Sequence, residues 1–260
     1  MKHKTVNHAL SVVRRILTLA ARRWRDEQGQ TWLDTPPLLT MLPLTDTRQP
    51  YPLSVDEQQR LFRELPVHLA RMALFKVDTG TRDQEVCRLR WEWEVEVPEL
   101  STSVFLVPGQ HVKNREDRVI VLNDVANSVI ESCRGHHESF VFTYQGRPIV
   151  KMMSSAWKRA REAAADQLEA DSGTKAPTGF RQIRVHDLKH TFGRRLRAAG
   201  VSLETRKVLL GHTTGDITSH YSAPELGELL TAANRVCRTE SGKSPALTLL
   251  KHRAVSGGGA

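Results

Sequence analysis

The residues of this 260-residue chain that could do chemistry fall into a few separated boxes. His186 and His190 are spaced i, i+4 on a predicted helix, with His212 and His220 downstream, and such a pair can hold zinc when a third ligand joins it. A metalloprotease would place a glutamate directly after the first histidine, where Asp187 stands here. A zinc-dependent hydrolase is therefore one reading, and histidines that merely pack or face solvent are another. No Gly-x-x-x-x-Gly-Lys-Ser/Thr loop and no Gly-x-Gly-x-x-Gly is present, so nucleotide-dependent chemistry loses its usual phosphate cradle. Nor is there a carboxylate cluster of the kind that holds two magnesium ions. A basic protein that acts on DNA without these devices must neutralise phosphate with its own cations. Candidates for that task come in a fixed order. Thr79-Gly80-Thr81-Arg82-x-x-Glu85-x-x-x-Leu89-x-Trp91 is followed by Lys113, then by His186-Asp187-Leu188-Lys189-His190-Thr191-Phe192, then by Leu210-Gly211-His212, with Tyr221 nine residues on.

This series resembles the tyrosine recombinase (phage integrase) family, in particular integrases of bacterial prophages and genomic islands, from about Ser54 to Val236. The resemblance implies that Tyr221 attacks the scissile phosphate and forms a 3′-phosphotyrosyl link that preserves the bond energy for religation. A phenol with a pKa of about 10 needs help losing its proton, and the family's candidate base is His186. Arg82 would grip the non-bridging oxygens through its planar fork. Lys113, on a mobile hairpin, would protonate the departing 5′-oxygen, and His212 would hydrogen-bond the phosphate. Glu85 would support the basic side chains. Lys76, Lys151 and Arg115 are other basic residues that could compete for the role given to Lys113, while His190 and Thr191 are read as stabilising the helix start. Preorganised cations would stand in for a metal, so no cofactor is expected. The family's second arginine is Lys189 here, which keeps the charge and loses the bidentate fork. Double-stranded DNA with attachment-type sites is the implied partner, bound by a homotetramer, with accessory DNA-bending proteins possible and the helix after Tyr221 packing on a neighbour. An alternative reading is a catalytically impaired remnant that only binds DNA, motivated by Lys189 and a short N-terminal piece.

Several elements must position these residues. From Thr5 to Trp24 the apolar residues Val6, Leu10, Val13, Leu17, Ala20 and Trp24 form a helical stripe, with Thr5-Val6-Asn7 resembling the last part of a core-binding domain. Prolines 36, 37, 43, 50 and 52 mark residues 34–53 as a linker. Ser54-x-x-Glu57 is a capping box that opens a helix, and a second helix over 67–77 ends at Gly80. The runs 103–107 and 118–122 predict a hairpin that turns at 114–117. Phe140-Val141-Phe142 reads as a short strand, 153–169 as a helix and 170–184 as a loop. Asp187 to Ala199 predicts a helix with Arg194, Arg195 and Arg197 outward. Ser202 caps the next helix, and Pro224 opens the last at its first position.

Composition sets the outer bounds. A net charge of +9 and a pI near 9.8 point to an acidic partner. Residues 179–220 carry eight Lys/Arg against three Asp/Glu, and residues 1–50 eight against four, flanking an acidic stretch over 54–100. No run of 18 apolar residues is present, which removes a membrane span, and the basic N-terminus lacks the apolar core of a secretory signal. Cys87, Cys133 and Cys237 exclude a disulfide framework and suit a reducing cytoplasm. The expectation is a mainly α fold with a small antiparallel β-sheet (α+β), divided as follows: residues 1–33 a partial helical core-binding domain, 34–53 a linker, 54–237 a catalytic domain and 238–260 a flexible tail.

Overall fold

The computed structural model describes residues 1–45, 48–212 and 222–237; the expected tail over 238–260 and the segment holding Tyr221 lie outside them. The chain divides into two compact units, Met1–Gln49 and Pro50–Ala260. In the first, α1 (His3–Arg22) carries the predicted stripe from Val6 to Ala20, while Trp24 lies beyond its end. The stretch read as a linker is tied down rather than free at its start. Asn7 donates to the Leu42 carbonyl at 2.8 Å and accepts from the Leu42 amide at 2.8 Å, and Arg14 donates to the Leu39 carbonyl. Its last residues belong to the second unit, where the Leu53 amide donates to Thr191 Oγ1 at 3.0 Å.

The second unit is built around one helix. α2 (Val55–Glu64) opens with the predicted box, the Glu57 amide bonding Ser54 Oγ at 3.2 Å and the Ser54 amide bonding Glu57 Oε2 at 2.9 Å. α3 (Val67–Thr79) is buried along nearly its whole length, and its last turn takes Lys76, Asp78 and Thr79 into the interior with it. Gly80 ends it with φ +64°, a left-handed conformation that relieves glycine of no side-chain clash because it has none. The short α4 (Asp83–Cys87) follows. The predicted hairpin exists as β2 (Thr102–Val107) and β3 (Arg118–Val121), but a strand that sequence reading missed, β1 (Glu94–Val97), pairs antiparallel with β2. The sheet order is β1-β2-β3, with Val104 opposite Val121. Its Glu-Val-Glu-Val sequence puts charge on an exposed edge, where solvent removes the penalty.

After α5 (Asp124–Glu131) the segment Phe140–Phe142 is not the expected strand. Phe140 makes one isolated bridge to Arg90, and pairing shifts to β4 (Thr143–Tyr144) and β5 (Arg147–Pro148) around a tight turn. α6 (Ser155–Ser172) runs past its predicted end to Gly173, and α7 (Thr178–Arg181) occupies part of the expected loop. Phe180 of α7 is buried, which explains why a Gly/Pro-bearing segment still folds into the core. α8 (Val185–Ala198), α9 (Leu203–Leu209) and α10 (Ala223–Asn234) complete the unit. Arg195 does not point outward as expected: it is part-buried, and burial lowers its pKa while the charge of Asp78 opposes that lowering. Pro224 stands one place later than predicted, because Ser222 is the cap and Ala223 the first helical residue. Leu226, Leu229 and Ala233 of α10 bury against Val97, Val121, Phe192 and Leu196 of the same chain.

Gly80→Ala tests the turn that ends α3. A Cβ there would lie 2.7 Å from Phe192 Cδ1 and would sit at positive φ, so urea unfolding is expected to show a loss of about 2–4 kcal/mol.

Candidate active site

Thr79-Gly80-Thr81-Arg82 leaves the C-terminus of α3 and turns into α4, and this turn aims Arg82. The Arg82 amide donates to Glu85 Oε2 at 2.7 Å, closing the cap of α4, while Arg82 Nη1 donates to Oε1 of the same carboxylate at 2.8 Å. Arg82 Nη2 donates to the Gly211 carbonyl at 2.9 Å, which joins this box to the Leu210-Gly211-His212 turn that follows α9. Glu85, for which a surface position was nearly as good a reading, is 3% exposed. Burial by itself would raise its pKa, but Arg118 and Arg82 outweigh that and hold its carboxyl below the usual range.

Sequence reading missed Arg118. As the first residue of β3 it is 5% exposed, and its guanidinium forms an ion pair with Glu85 Oε2. Its Nη2 donates to the carbonyls of Gly80 and Leu209, both at 3.3 Å. Breaking a buried pair of this kind costs about 3–5 kcal/mol. Lys76, fully buried in α3, donates to the Thr81 carbonyl, and burial holds its ammonium down at about 8. Lys189 of α8 donates to the Leu210 carbonyl. Burial first, and then repulsion by Arg118 and Arg82, push its pKa down to about 6.

Above this layer lies an open cleft of about 590 Å3, lined by Arg82, Lys113, His186, Lys189 and His212 among others. Every sequence-predicted cationic or imidazole site residue within the described chain therefore meets in one place. Lys113 reaches it from the turn between β2 and β3, and none of the competing Lys76, Lys151 and Arg115 lines it. His190 lines it too, contrary to the expectation of a purely structural role, whereas Thr191 is structural, bonding Leu53 and the Asp187 carbonyl. Arg194 and Arg197, read from the sequence only as outward-facing, also line it, as do Arg206 and Lys207, which were not singled out, and no aspartate or glutamate appears among the described lining residues. Their signal was the run of basic residues on α8 and α9 at helical spacing.

His186 and His190 stack edge to face with ring centroids 4.9 Å apart. His186 keeps one side open to solvent, yet partial burial, followed by repulsion from His190, Lys76 and Lys189, takes it well below the usual imidazole range. It is therefore neutral at pH 7, and the same lowering makes it a weaker base than a free imidazole until an anion in the cleft offsets the surrounding charges. His212 is lowered by burial and then by Lys189 and Arg82. Among the described residues no group of three or more His, Cys, Asp or Glu is placed to hold a metal ion; His220, like the expected nucleophile Tyr221, lies outside them. The cleft can thus neutralise and hydrogen-bond an anion with several oxygens, beside a neutral imidazole. No described helix is long and apolar enough to cross a membrane.

The phage integrase family profile matches residues 53–226. The integrase of Salmonella phage P22 is 24% identical over 226 residues, which cover 82% of this chain and 52% of that protein, so the chain spans about half the length of that curated relative. In fold it is similar to the XerH site-specific recombinase bound to palindromic difH substrate in a post-cleavage complex, with a TM-score of 0.56 at 14% identity over 88% of this chain and 64% of that one. It is equally similar to the Tn1549 transposon integrase in complex with transposon right end DNA, with a TM-score of 0.56 at 16% identity over 98% and 80% of the two chains. With the motif-bearing residues gathered in one cationic cleft and the family profile spanning most of the chain, the protein belongs to the phage integrase family.

Proposed function

We propose that this protein is a site-specific DNA recombinase that cleaves and rejoins DNA through a 3′-phosphotyrosyl intermediate, integrating or excising a mobile element. The observation that carries the reading is the charge imbalance of the cleft. Arg82, Lys113 and Lys189 line it together with three histidines and no described carboxylate, while Glu85 is buried beneath it and already engaged by two arginines. An anion there meets Arg82 and Lys113 and favours the charged form of Lys189, and a phosphodiester supplies one with two non-bridging oxygens. Similarity to integrases and to recombinases solved on DNA supports double-stranded DNA as the partner.

In the reaction, the Tyr221 oxygen attacks phosphorus as the bond from phosphorus to the 5′-oxygen breaks. Neutral His186 takes the phenol proton, and Lys113 gives one to the 5′-oxygen as it leaves. Arg82 and His212 bind the non-bridging oxygens, and Lys189, freed from the Leu210 carbonyl and protonated, adds a third donor. Residues 54–237 form the catalytic domain in this reading and residues 1–33 part of a core-binding domain. Four protomers act on two duplexes, with accessory DNA-bending proteins where the site requires them.

Supercoiled plasmid carrying the DNA that flanks the gene, incubated with the protein in EDTA, should yield a protein–DNA adduct that survives detergent. Tyr221→Phe should abolish it, and Arg82→Ala should slow its formation by about 10²–10³-fold; bound DNA without any adduct in the wild type would reject the reading. Binding should also depend on pH. Lys189 is largely neutral above pH 6 in the free protein, and a nearby phosphate favours its charged form, so DNA binding takes up a proton. Affinity should therefore fall as pH rises from about 6.5 to 8, and Lys189→Arg should flatten that slope in fluorescence anisotropy titrations.

A further inference from the structure

Resting on the cleavage reading above, we propose that Arg118 is a positioning residue for the cleavage step, locking the turn that carries Arg82 to the turn that carries His212. It lines no part of the cleft's described wall, so its action passes through others. One guanidinium reaches three segments: Glu85 on α4, the Gly80 carbonyl before Arg82, and the Leu209 carbonyl before His212. Glu85 in turn orients Arg82. Contact is close on the far side as well. A Cβ built on Gly211, which has φ +59°, would lie 2.6 Å from Arg118 Nε, so only glycine lets the His212 turn approach this guanidinium. Arg118 Nε itself has no hydrogen-bond partner among the described residues, and the other two nitrogens carry the whole attachment. Such an arrangement resists shear between the two turns, because the planar fork fixes direction as well as distance.

Arg118 also adds positive charge beside Lys189. Facing Lys189 from other elements are Lys76 of α3, Arg82 and Glu85 of α4 and His212, and on its own helix His186 and His190. Of these only Glu85 favours the charged ammonium. Loss of Arg118 therefore moves the ionisation of Lys189 to higher pH.

The test compares Arg118→Met, Arg118→Lys and Gly211→Ala with the wild-type full chain on the same plasmid DNA, below the melting temperature of every variant. If the wild type binds but forms no adduct, the cleavage reading fails and takes this inference with it. Given a wild-type adduct, Arg118→Met should slow single-turnover adduct formation by about a hundredfold while Kd changes by less than about threefold. The midpoint of its rate–pH profile should rise, and Arg118→Lys should recover part of the rate. Gly211→Ala, which keeps Arg118 but presses a methyl group on it, should slow cleavage in the same way, and it decides the matter if Arg118→Met does not fold. Wild-type rates and pH midpoints in a folded Arg118→Met variant, or in Gly211→Ala when only that one folds, would overturn the proposal.

Discussion

Four basic side chains sit within one layer of this protein because two helix ends supply the oxygens that hold them. The chain leaving α3 offers the carbonyls of Gly80 and Thr81, and the chain leaving α9 those of Leu209, Leu210 and Gly211. Arg118, Lys76, Lys189 and Arg82 donate to them. Carbonyls at the C-terminal ends of helices have no partners within the helix and carry the negative end of its dipole. Like charges that would otherwise separate are thereby kept in place by groups that never ionise. Among the described residues Glu85 contributes the only carboxylate bonded to two of them, and both arginines engage it before any ligand arrives.

This explains why the cations differ from one another. Arginine keeps its proton under burial, so Arg82 and Arg118 remain fixed charges. Lysine can surrender one, and the two lysines of the layer do so by degrees, Lys76 falling to about 8 and Lys189 to about 6. Where family resemblance leads one to expect a second guanidinium, this chain has a group whose charge depends on what occupies the cleft. The substitution is thus more than a loss of hydrogen-bonding geometry. It transfers part of the electrostatic cost of an empty cationic site into a missing proton.

Much of this was legible in the sequence where local chemistry decides the structure. Ser54, Ser202 and Gly80 act as cap or terminator by rules that involve only a few neighbours, and all three do what those rules require. The boxes holding Arg82, Lys113, His186, Lys189 and His212 were readable as an ordered series, and the fold brings them to one cleft. What escaped depended on distant partners. Arg118 opens an apolar strand, a position where arginine ordinarily faces solvent; only Glu85, 33 residues earlier in the chain, makes it a buried charge. Arg195 reads as one of three outward arginines, yet it is part-buried, in the field of the distant Asp78. β1 alternates glutamate with valine, and Phe140–Phe142 has the composition of a strand, yet pairing partners favoured the first and not the second. Tyr221, assigned through the family resemblance and its place in the series, lies outside the described residues.

The chain just past the junction of the two units, at Pro50, has a mechanical consequence. The Tyr51 amide donates to Asp187 Oδ1 at 3.2 Å and the Leu53 amide to Thr191 Oγ1 at 3.0 Å, while the Tyr51 ring is pressed against Gly179. Asp187 and Thr191 bracket Lys189 on α8, and each is the immediate neighbour of a cleft histidine. Tension arriving along the backbone from residue 49 is therefore taken up first by the helix that carries His186, Lys189 and His190. A pull on that segment reaches the cleft wall through two hydrogen bonds to α8, while the Tyr51 ring braces against α7 and Leu53 anchors in the core.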